Sequence, residues 1–356
     1  MNTADSERMG AALEQMGMEE RSTPKDADVV LLNSCVVRQN AEDRVVGMLT
    51  SLKPWRESNP GGTLALMGCM VGPRQDELKD RFPYVDVFMR PQDFEPLLRH
   101  LGNQTGVDID GCLGPMVPVR PQITAHVPII HGCNKFCTFC IIPYRRGREV
   151  SRSIDELVWE CQKLNERGVQ EVTLLGQNVD SYGQDLPGKT DLADLMEAIH
   201  DQVPALKRIR FLTSHPSDMS DRIVDAIANL PRVMETINLP FQAGDDSVLE
   251  NMHRGYTNSE YRELIDSIRS KIPGAAITTD LIVGFPGETD KQFQKSLDMI
   301  RDIKFHKVHV AAYSQRPGTI AARTLVDDIP LEEKRQRLKS IESIQEQIVN
   351  DLGQRY

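Results

Sequence analysis

The sequence predicts an α/β protein in which an N-terminal parallel-sheet α/β domain precedes a partial (βα)6 barrel. Short apolar segments alternate with amphipathic helical segments along nearly the whole chain, and such alternation is typical of parallel sheets. A single stretch rich in Gly, Pro and Val, residues 105–124, interrupts this pattern and indicates a linker. We therefore expect an N-terminal domain over 1–104, a barrel over 125–330 and a C-terminal helix within 331–356.

Composition restricts the class of protein. The chain has 356 residues, of which 40% are hydrophobic and 26% charged, as in ordinary globular proteins. It has no apolar run long enough to cross a bilayer, and Met1 to Glu7 lacks the features of a signal peptide. We therefore expect a cytoplasmic protein with no membrane partner and with reduced cysteines rather than a disulfide framework. The net charge of −10 argues against an extended nucleic-acid surface but is compatible with a local basic patch.

The N-terminal domain shows three strand-helix repeats after a first helix at residues 4–17. The strands are predicted at 28–33, 63–67 and 85–88, and the helices at 40–52, 76–81 and 93–101. Cys35 and Cys69 follow the first and second strands, and the carboxyl edge of a parallel sheet is where ligands bind. These residues either meet at one metal centre or are two inert buried cysteines. Cys112, in the linker, has no recognisable partner.

The second domain repeats the alternation six times. Its strands are predicted at His126–Ile130, Glu171–Leu175, Arg208–Leu212, Thr236–Leu239, Ala276–Val283 and Lys307–Ala312, and its helices near 154–167, 191–202, 218–229, 246–251, 258–271 and 289–302. Capping boxes starting at Ser153, Thr257 and Thr289 mark three helix starts. An apolar stripe through Leu338 and Ile341 predicts a last helix that packs on the barrel.

Three cysteines, Cys133, Cys137 and Cys140, form a short loop after the first predicted barrel strand. Structural zinc takes four protein ligands, and a 4Fe-4S cluster is usually held by four cysteines. Three ligands would leave one iron open to an exogenous ligand, which favours chemistry over electron transfer alone. Two alternatives remain open, namely a zinc site completed by His131 or a distant cysteine, and three unconnected buried cysteines.

Polar or glycine-rich segments follow the other barrel strands. They lie at residues 176–179, 213–216, 239–245, 284–288 and 313–319. Each alone is compatible with an ordinary turn, but together they ring the carboxyl face, where barrel active sites lie. The basic segment 144–152 is either a solvated loop or a contact for an anionic substrate or cofactor.

These motifs resemble a known family. The spacing of Cys133, Cys137 and Cys140 resembles the radical S-adenosylmethionine superfamily. The amino-acid sequence from Cys133 to Arg152 resembles that of the methylthiotransferases, and so do the segments Asn33 to Arg38 and Gly68-Cys69. Leu174 to Gly183 and Arg254 to Thr257 are most similar to the transfer-RNA branch, which makes 2-methylthio-N(6)-dimethylallyladenosine. The resemblance covers nearly the whole chain.

The resemblance implies a radical mechanism. Cys133, Cys137 and Cys140 would hold a 4Fe-4S cluster whose open iron chelates S-adenosylmethionine. One electron, supplied by a reducing donor protein, would cleave the sulfonium to a 5′-deoxyadenosyl radical. That radical would abstract hydrogen from a ring carbon of the adenine. The protein's part would be positioning and exclusion of water.

The resemblance also implies further cofactor contacts. An auxiliary 4Fe-4S cluster, with Cys35 and Cys69 among its ligands, would supply a sulfur methylated by a second S-adenosylmethionine. By the family pattern, Gln177 would lie near the methionine end of S-adenosylmethionine. Gly284 and Glu288 would lie beside its adenine.

Two departures from the family pattern stand out. The family's first auxiliary cysteine belongs in a Gly-Cys-Gln-Met-Asn segment, and this chain begins at Met1-Asn2, so we expect the first strand and this ligand to be missing. We also expect the family's C-terminal RNA-binding domain, called TRAM, to be absent. The expected partners are transfer RNA and S-adenosylmethionine, and the expected state is a monomer. The alternatives are a sister enzyme acting on threonylcarbamoyl-adenosine or on a ribosomal-protein aspartate, and a non-catalytic iron-sulfur or RNA-binding module.

Overall fold

The computed structural model describes residues 1–37, 39–72, 75–109, 117–118 and 121–353. Residues 110–116 and 119–120 of the predicted linker lie outside these ranges, and so does Cys112. No helix in the described part of the chain is long and apolar enough to span a membrane.

The N-terminal unit is a three-stranded parallel sheet with helices on both faces. Its elements are α1 (Asn2–Gln15), β1 (Val29–Ser34), α2 (Gln39–Ser58), β2 (Thr63–Gly68), α3 (Asp76–Arg81), β3 (Val87–Met89) and α4 (Glu95–Thr105). The strand order is β1-β2-β3, with Val29 opposite Thr63. Every residue of the central strand β2 is buried, because a parallel sheet between two helical layers has no solvated face.

Helix α2 is longer than the sequence predicts. The prediction ended it before Lys53-Pro54, yet it continues through Pro54 to Ser58. Proline removes one backbone donor and crowds the preceding turn. The last turn nevertheless forms because Trp55 is buried against the sheet in the same core as Leu49 and Leu52.

The second unit contains eight strands and nine helices within its described residues. The strands are β4 (Thr124–Pro128), β5 (Ile130–His131), β6 (Val150–Ser151), β7 (Glu171–Leu175), β8 (Arg208–Leu212), β9 (Thr236–Asn238), β10 (Ala276–Val283) and β11 (Lys307–Ala312). The helices are α5 (Ile142–Arg146), α6 (Ile154–Glu166), α7 (Leu192–Gln202), α8 (Asp221–Asn229), α9 (Asp246–Asn251), α10 (Asn258–Lys271), α11 (Asp290–Ile303), α12 (Ile320–Thr324) and α13 (Leu331–Gly353).

Six of these strands form the predicted partial barrel. Strands β4, β7 and β8 are parallel neighbours, and so are β9, β10 and β11. The two sheets adjoin through a parallel bridge between Ile209 and Val233. A second link is the hydrogen bond from the Ser214 amide to the Asn238 carbonyl, 3.1 Å. The predicted α/β fold, with its (βα)6 barrel, is confirmed.

The first predicted barrel strand, His126–Ile130, is divided in two. Pro128 ends β4 because it has no amide hydrogen to donate to a neighbouring strand. The chain then resumes as β5, which pairs with the antiparallel strand β6 rather than with β7. The cysteine loop is therefore enclosed between β5 and β6 at the barrel mouth.

Side-chain caps and the last helix complete the barrel. Thr257 and Thr289 each form a reciprocal capping box at the start of α10 and α11, and Ser153 accepts from the Glu156 amide at the start of α6. Helix α13 packs on β11 and α11. Ile341 is fully buried in the barrel core.

Candidate active site

The cysteine loop is shaped by backbone contacts with its own return segment. Gly132 has a φ of +77°, and a Cβ there would lie 1.9 Å from the Arg148 carbonyl oxygen. Only glycine fits this position without moving the backbone. The Cys133 amide then donates to the Gly147 carbonyl at 3.1 Å. The loop is therefore closed at its base immediately before its first cysteine.

The second half of the loop is held by the end of α9. The Thr138 amide and hydroxyl donate to the carbonyls of Met252 and Asn251, at 3.0 and 2.7 Å. The Cys140 amide donates to the Cys137 carbonyl at 2.9 Å, which turns the chain sharply between these two cysteines. These three hydrogen bonds fix the backbone that carries the thiols.

The three thiols lie in a water-poor environment. Cys137 is only 8% exposed. Burial raises the pKa of Cys133 to about 11 and that of Cys140 to about 12, because a buried thiolate loses its hydration. Among the described residues, no three His, Cys, Asp or Glu side chains converge closely enough for one metal ion. A cubane cluster instead binds each thiolate through a different iron.

Arg254 connects the cysteine loop to the barrel interior. Its guanidinium is buried and donates from Nη1 to Sγ of Cys137 at 3.3 Å and from Nη2 to the Pro240 carbonyl at 3.3 Å. Its Nε donates to the hydroxyl of Tyr256 at 3.2 Å. The neighbouring Cys137 and Tyr256 raise the pKa of Arg254 despite its burial. A fixed positive charge thus touches the middle sulfur of the loop, a role that sequence reasoning missed.

Several buried polar atoms at the barrel mouth have no partner among the described residues. They are Oε1 of Gln177, Oδ1 of Asn178, Nε2 of His215 and Oε1 of Gln242. The four residues follow β7, β8 and β9 at their carboxyl ends. Buried polar groups normally find partners, so the grouping of these four atoms at one mouth makes it a candidate site for a polar ligand.

Gly284 and Glu288, at the carboxyl end of β10, contact the last helix. The Gly284 amide donates to Oε2 of Glu288 at 2.6 Å, and Nη1 of Arg337 on α13 donates to the same oxygen at 2.8 Å. A Cβ at Gly284, where φ is +68°, would lie 2.4 Å from Cγ of Lys334. Oε2 of Glu288 thus accepts from both sides, and Glu288 shapes the turn after β10.

The basic segment 144–152 does not form one solvent-exposed patch. Arg152 is paired with Glu156 and Glu160. Arg146 is buried and paired with Asp5, whereas Arg148 lies over the Phe136 ring, 4.5 Å from its centroid. The segment mainly holds the loop together.

Cys35 and Cys69 lie near each other at the carboxyl edge of the N-terminal sheet. Cys69 is 2% exposed, and its amide donates to the Ser34 carbonyl at 3.0 Å. Burial raises the pKa of Cys69, with a further contribution from the charge of Cys35 and opposed by Arg146. Arg146 donates from Nε to Sγ of Cys69 at 3.2 Å. The structure therefore brings this second pair of cysteines next to the helix that follows the first loop.

Comparisons with known proteins identify the family. The "Radical SAM superfamily" model matches residues 127–300, and the "Uncharacterized protein family UPF0004" model matches residues 1–90. A tRNA-2-methylthio-N(6)-dimethylallyladenosine synthase from Dehalococcoides mccartyi (strain CBDB1) is 48% identical over 98% of this chain and 81% of its own length. One of the same name from Roseiflexus sp. (strain RS-1) is 48% identical over 100% of this chain and 75% of its own length.

The chain belongs to the radical S-adenosylmethionine methylthiotransferase family, in the tRNA-2-methylthio-N(6)-dimethylallyladenosine synthase branch. The solved structure of the radical S-adenosylmethionine methyltransferase TsrM from Kitasatospora setae, with tryptophan and a cofactor analogue bound, has a similar fold. Its TM-score is 0.65 at 14% identity, over 90% of this chain and 72% of that one. At this identity, the likeness shows the fold alone.

Membership of the family implies a 4Fe-4S cluster and S-adenosylmethionine, and the barrel mouth fits both. The loop offers three thiols in a water-poor place, with the Arg254 guanidinium on one sulfur. The unpartnered amide oxygens of Gln177 and Gln242 are acceptors of the kind that an ammonium or amino group needs. The zinc alternative needs His131 or a distant cysteine as a fourth ligand, and among the described residues no three His, Cys, Asp or Glu side chains converge on one ion.

Proposed function

We propose that this protein transfers a methylthio group to carbon 2 of an isopentenylated adenosine next to the anticodon of transfer RNA. The observation that carries the proposal is the 48% identity, over 98% of the chain, to a synthase named for this product. The three-cysteine loop at the mouth of a (βα)6 barrel supports it, because barrel active sites lie on that face.

In this proposal, Cys133, Cys137 and Cys140 hold the radical-generating cluster. When bound, the cluster and S-adenosylmethionine supply a radical that abstracts hydrogen from the adenine ring. Arg254 holds the loop against Pro240 and places a positive charge beside the sulfur of Cys137. Hydrogen bonds to cluster sulfurs tune the reduction potential.

The residues around the mouth bind and orient the cofactor. Gln177 offers its unpartnered Oε1 to the ammonium of the methionine moiety. Glu288 accepts a hydrogen bond from the Gly284 amide. It thereby fixes the end of β10, beside which the cofactor's adenine would bind. Arg337 neutralises Glu288 from the opposite side.

An auxiliary cluster at Cys35 and Cys69 would provide the sulfur to be transferred. The proximity of these two cysteines and the Arg146 contact with Cys69 support this assignment. A reducing donor protein, a monomeric chain and a cytoplasmic location complete the proposal, the last because transfer RNA is the substrate.

The test is an anaerobic assay of the reconstituted enzyme with anticodon stem-loop RNA that carries isopentenylated adenosine. Mass spectrometry of digested RNA should detect 2-methylthio nucleoside together with 5′-deoxyadenosine. Two alternative substrates are assayed in parallel. One is RNA that carries threonylcarbamoyl-adenosine, and the other is the ribosomal protein on which a sister enzyme acts. Cofactor cleavage with product only from one of these two would refute the proposed substrate.

A further inference from the structure

His215 is a buried residue at the barrel mouth to which the family motifs assign no role. It follows β8, and the residue is only 4% exposed. Its backbone amide donates to Oδ2 of Asp180 at 2.9 Å, and its ring lies edge-on to Tyr256 with centroids 5.8 Å apart. The imidazole therefore has a fixed position.

The contacts of His215 also fix its tautomer. The Ser217 amide donates to Nδ1 at 3.3 Å, and the Ser217 hydroxyl lies 2.8 Å from the same nitrogen. An amide N–H only donates, so Nδ1 is the acceptor. Burial and the nearby cations Arg254 and Lys135 lower the pKa of His215 to about 2, so the ring is neutral. Its single proton is therefore on Nε2.

The Nε2–H group has no acceptor among the described residues, although the atom is buried. A buried donor without a partner is destabilising, so a ligand acceptor is expected there. The position of that acceptor follows from a chain of contacts. His215 touches Tyr256, Tyr256 accepts from Arg254, and Arg254 donates to Cys137. His215 thus lies on the side of the mouth that faces the cysteine loop.

We propose that Nε2–H of His215 donates a hydrogen bond to a ring nitrogen next to carbon 2 of the substrate adenine, N1 or N3. The inference rests on the proposed function and names a binding residue for its substrate. A neutral donor matches an uncharged ring nitrogen, whereas the charged side chains nearby, Arg254 and Lys135, already have partners. Carbon 2 must also approach the radical source, and N1 and N3 are its two neighbours in the ring.

The test compares His215→Phe, which removes the donor and keeps the ring, with His215→Gln, whose amide retains a donor. The holoenzyme is titrated with isopentenylated stem-loop RNA in the presence of S-adenosylmethionine. We expect His215→Phe to weaken RNA binding by about tenfold to a hundredfold and His215→Gln to recover much of the loss. The affinity for S-adenosylmethionine and the rate of its cleavage without RNA should stay within about twofold.

His200→Phe is the matched control. His200 on α7 also has a buried Nε2 atom without a partner among the described residues, but its Nδ1 contacts Asp201 on the outer helical layer. Its replacement should leave RNA binding unchanged. Equal losses in the two Phe variants would show a general packing effect and would overturn the proposal.

Stem-loop RNAs with 1-deaza- or 3-deaza-adenine at the modified position locate the acceptor. The wild type should bind one of these analogues more weakly than the normal RNA. His215→Phe should bind that analogue and the normal RNA equally well. Additive losses for both analogues would overturn the proposal, and so would a loss confined to S-adenosylmethionine affinity. The proposed function fails separately, if the wild type binds the RNA and yields no methylthio product.

Discussion

Arg146 donates a hydrogen bond from Nε to Sγ of Cys69 at 3.2 Å, although the two residues belong to different units of the chain. Arg146 ends α5, immediately after the cysteine loop of the barrel, whereas Cys69 follows β2 of the N-terminal sheet. The same guanidinium donates from Nη2 to Asp5 at 3.0 Å. One buried side chain therefore joins the two cysteine-bearing regions.

Arg146→Met should destabilise the N-terminal unit strongly. The side chains of Arg146 and Asp5 are 2% and 0% exposed, and removing one partner of such a pair costs about 3–5 kcal/mol because a buried charge is left unpaired. Urea unfolding of the cluster-free chain, followed by Trp55 fluorescence in the Trp159→Phe background, measures this change.

The double variant Asp5→Asn, Arg146→Met should recover part of that stability, because no uncompensated charge remains. The neighbouring Arg145→Met is the control, and its unfolding midpoint should stay near that of the wild type. Additive losses from Asp5→Asn and Arg146→Met would contradict the assignment of a coupled pair.

Cys137→Ala should abolish reductive cleavage of S-adenosylmethionine, because the radical-generating cluster would lose the ligand between the other two. Iron and sulfide content after reconstitution, together with 5′-deoxyadenosine release, provides the measurement. Cys161→Ala is the control, since Cys161 is fully buried on α6 in the barrel core. Cleavage by Cys137→Ala at the wild-type rate would exclude this cysteine as a cluster ligand.

The fold follows closely from sequence patterns because its determinants are local. The predicted bounds of β7, β8, β10 and β11 agree with the structure, since β7 is largely apolar, the other three carry buried apolar residues between more exposed ones, and polar or glycine residues follow each strand within two positions. The departure at β4 is also local in origin, and lies at Pro128. Periodicity and turn chemistry therefore account for most of the architecture.

The site could be predicted only in part. The three cysteines of the loop are close in sequence, so their grouping is visible in the spacing. Arg254 and its partner Cys137 are 117 residues apart, and Arg146 and Cys69 are 77 apart. Such contacts depend on tertiary packing, and a single sequence contains no periodicity that reports them. The assignment of Gln177, Gly284 and Glu288 as cofactor-binding residues stays a prediction.

Gln177→Met should weaken binding of S-adenosylmethionine by about tenfold. The change removes the unpartnered acceptor Oε1 and nearly conserves side-chain volume. Equilibrium dialysis with the reconstituted enzyme measures the affinity without turnover. Gln345→Met on α13 is a matched control, because Oε1 of Gln345 also has no partner among the described residues but lies away from the mouth. Unchanged affinity in Gln177→Met would exclude the proposed contact.

Asp180 should make the stability of the barrel depend on pH. Its carboxyl is completely buried, and burial raises its pKa to about 7 even though it accepts from the His215 amide and the Ser214 hydroxyl. The folded state therefore holds a proton that the unfolded chain releases near pH 4. Where the folded state binds more protons, the free energy of unfolding falls as pH rises.

The expected loss is about 1.4 kcal/mol per pH unit between about pH 4 and pH 7, and it should level off above that range. Asp180→Asn keeps an oxygen that accepts from the His215 amide but has no carboxyl group to titrate. The free energy of unfolding of this variant should therefore lack the pH-dependent loss due to Asp180. Urea unfolding of both proteins at several pH values measures the difference between them. A difference that stays constant from pH 5 to pH 8 would show that Asp180 is already ionised in the folded protein at the lower pH.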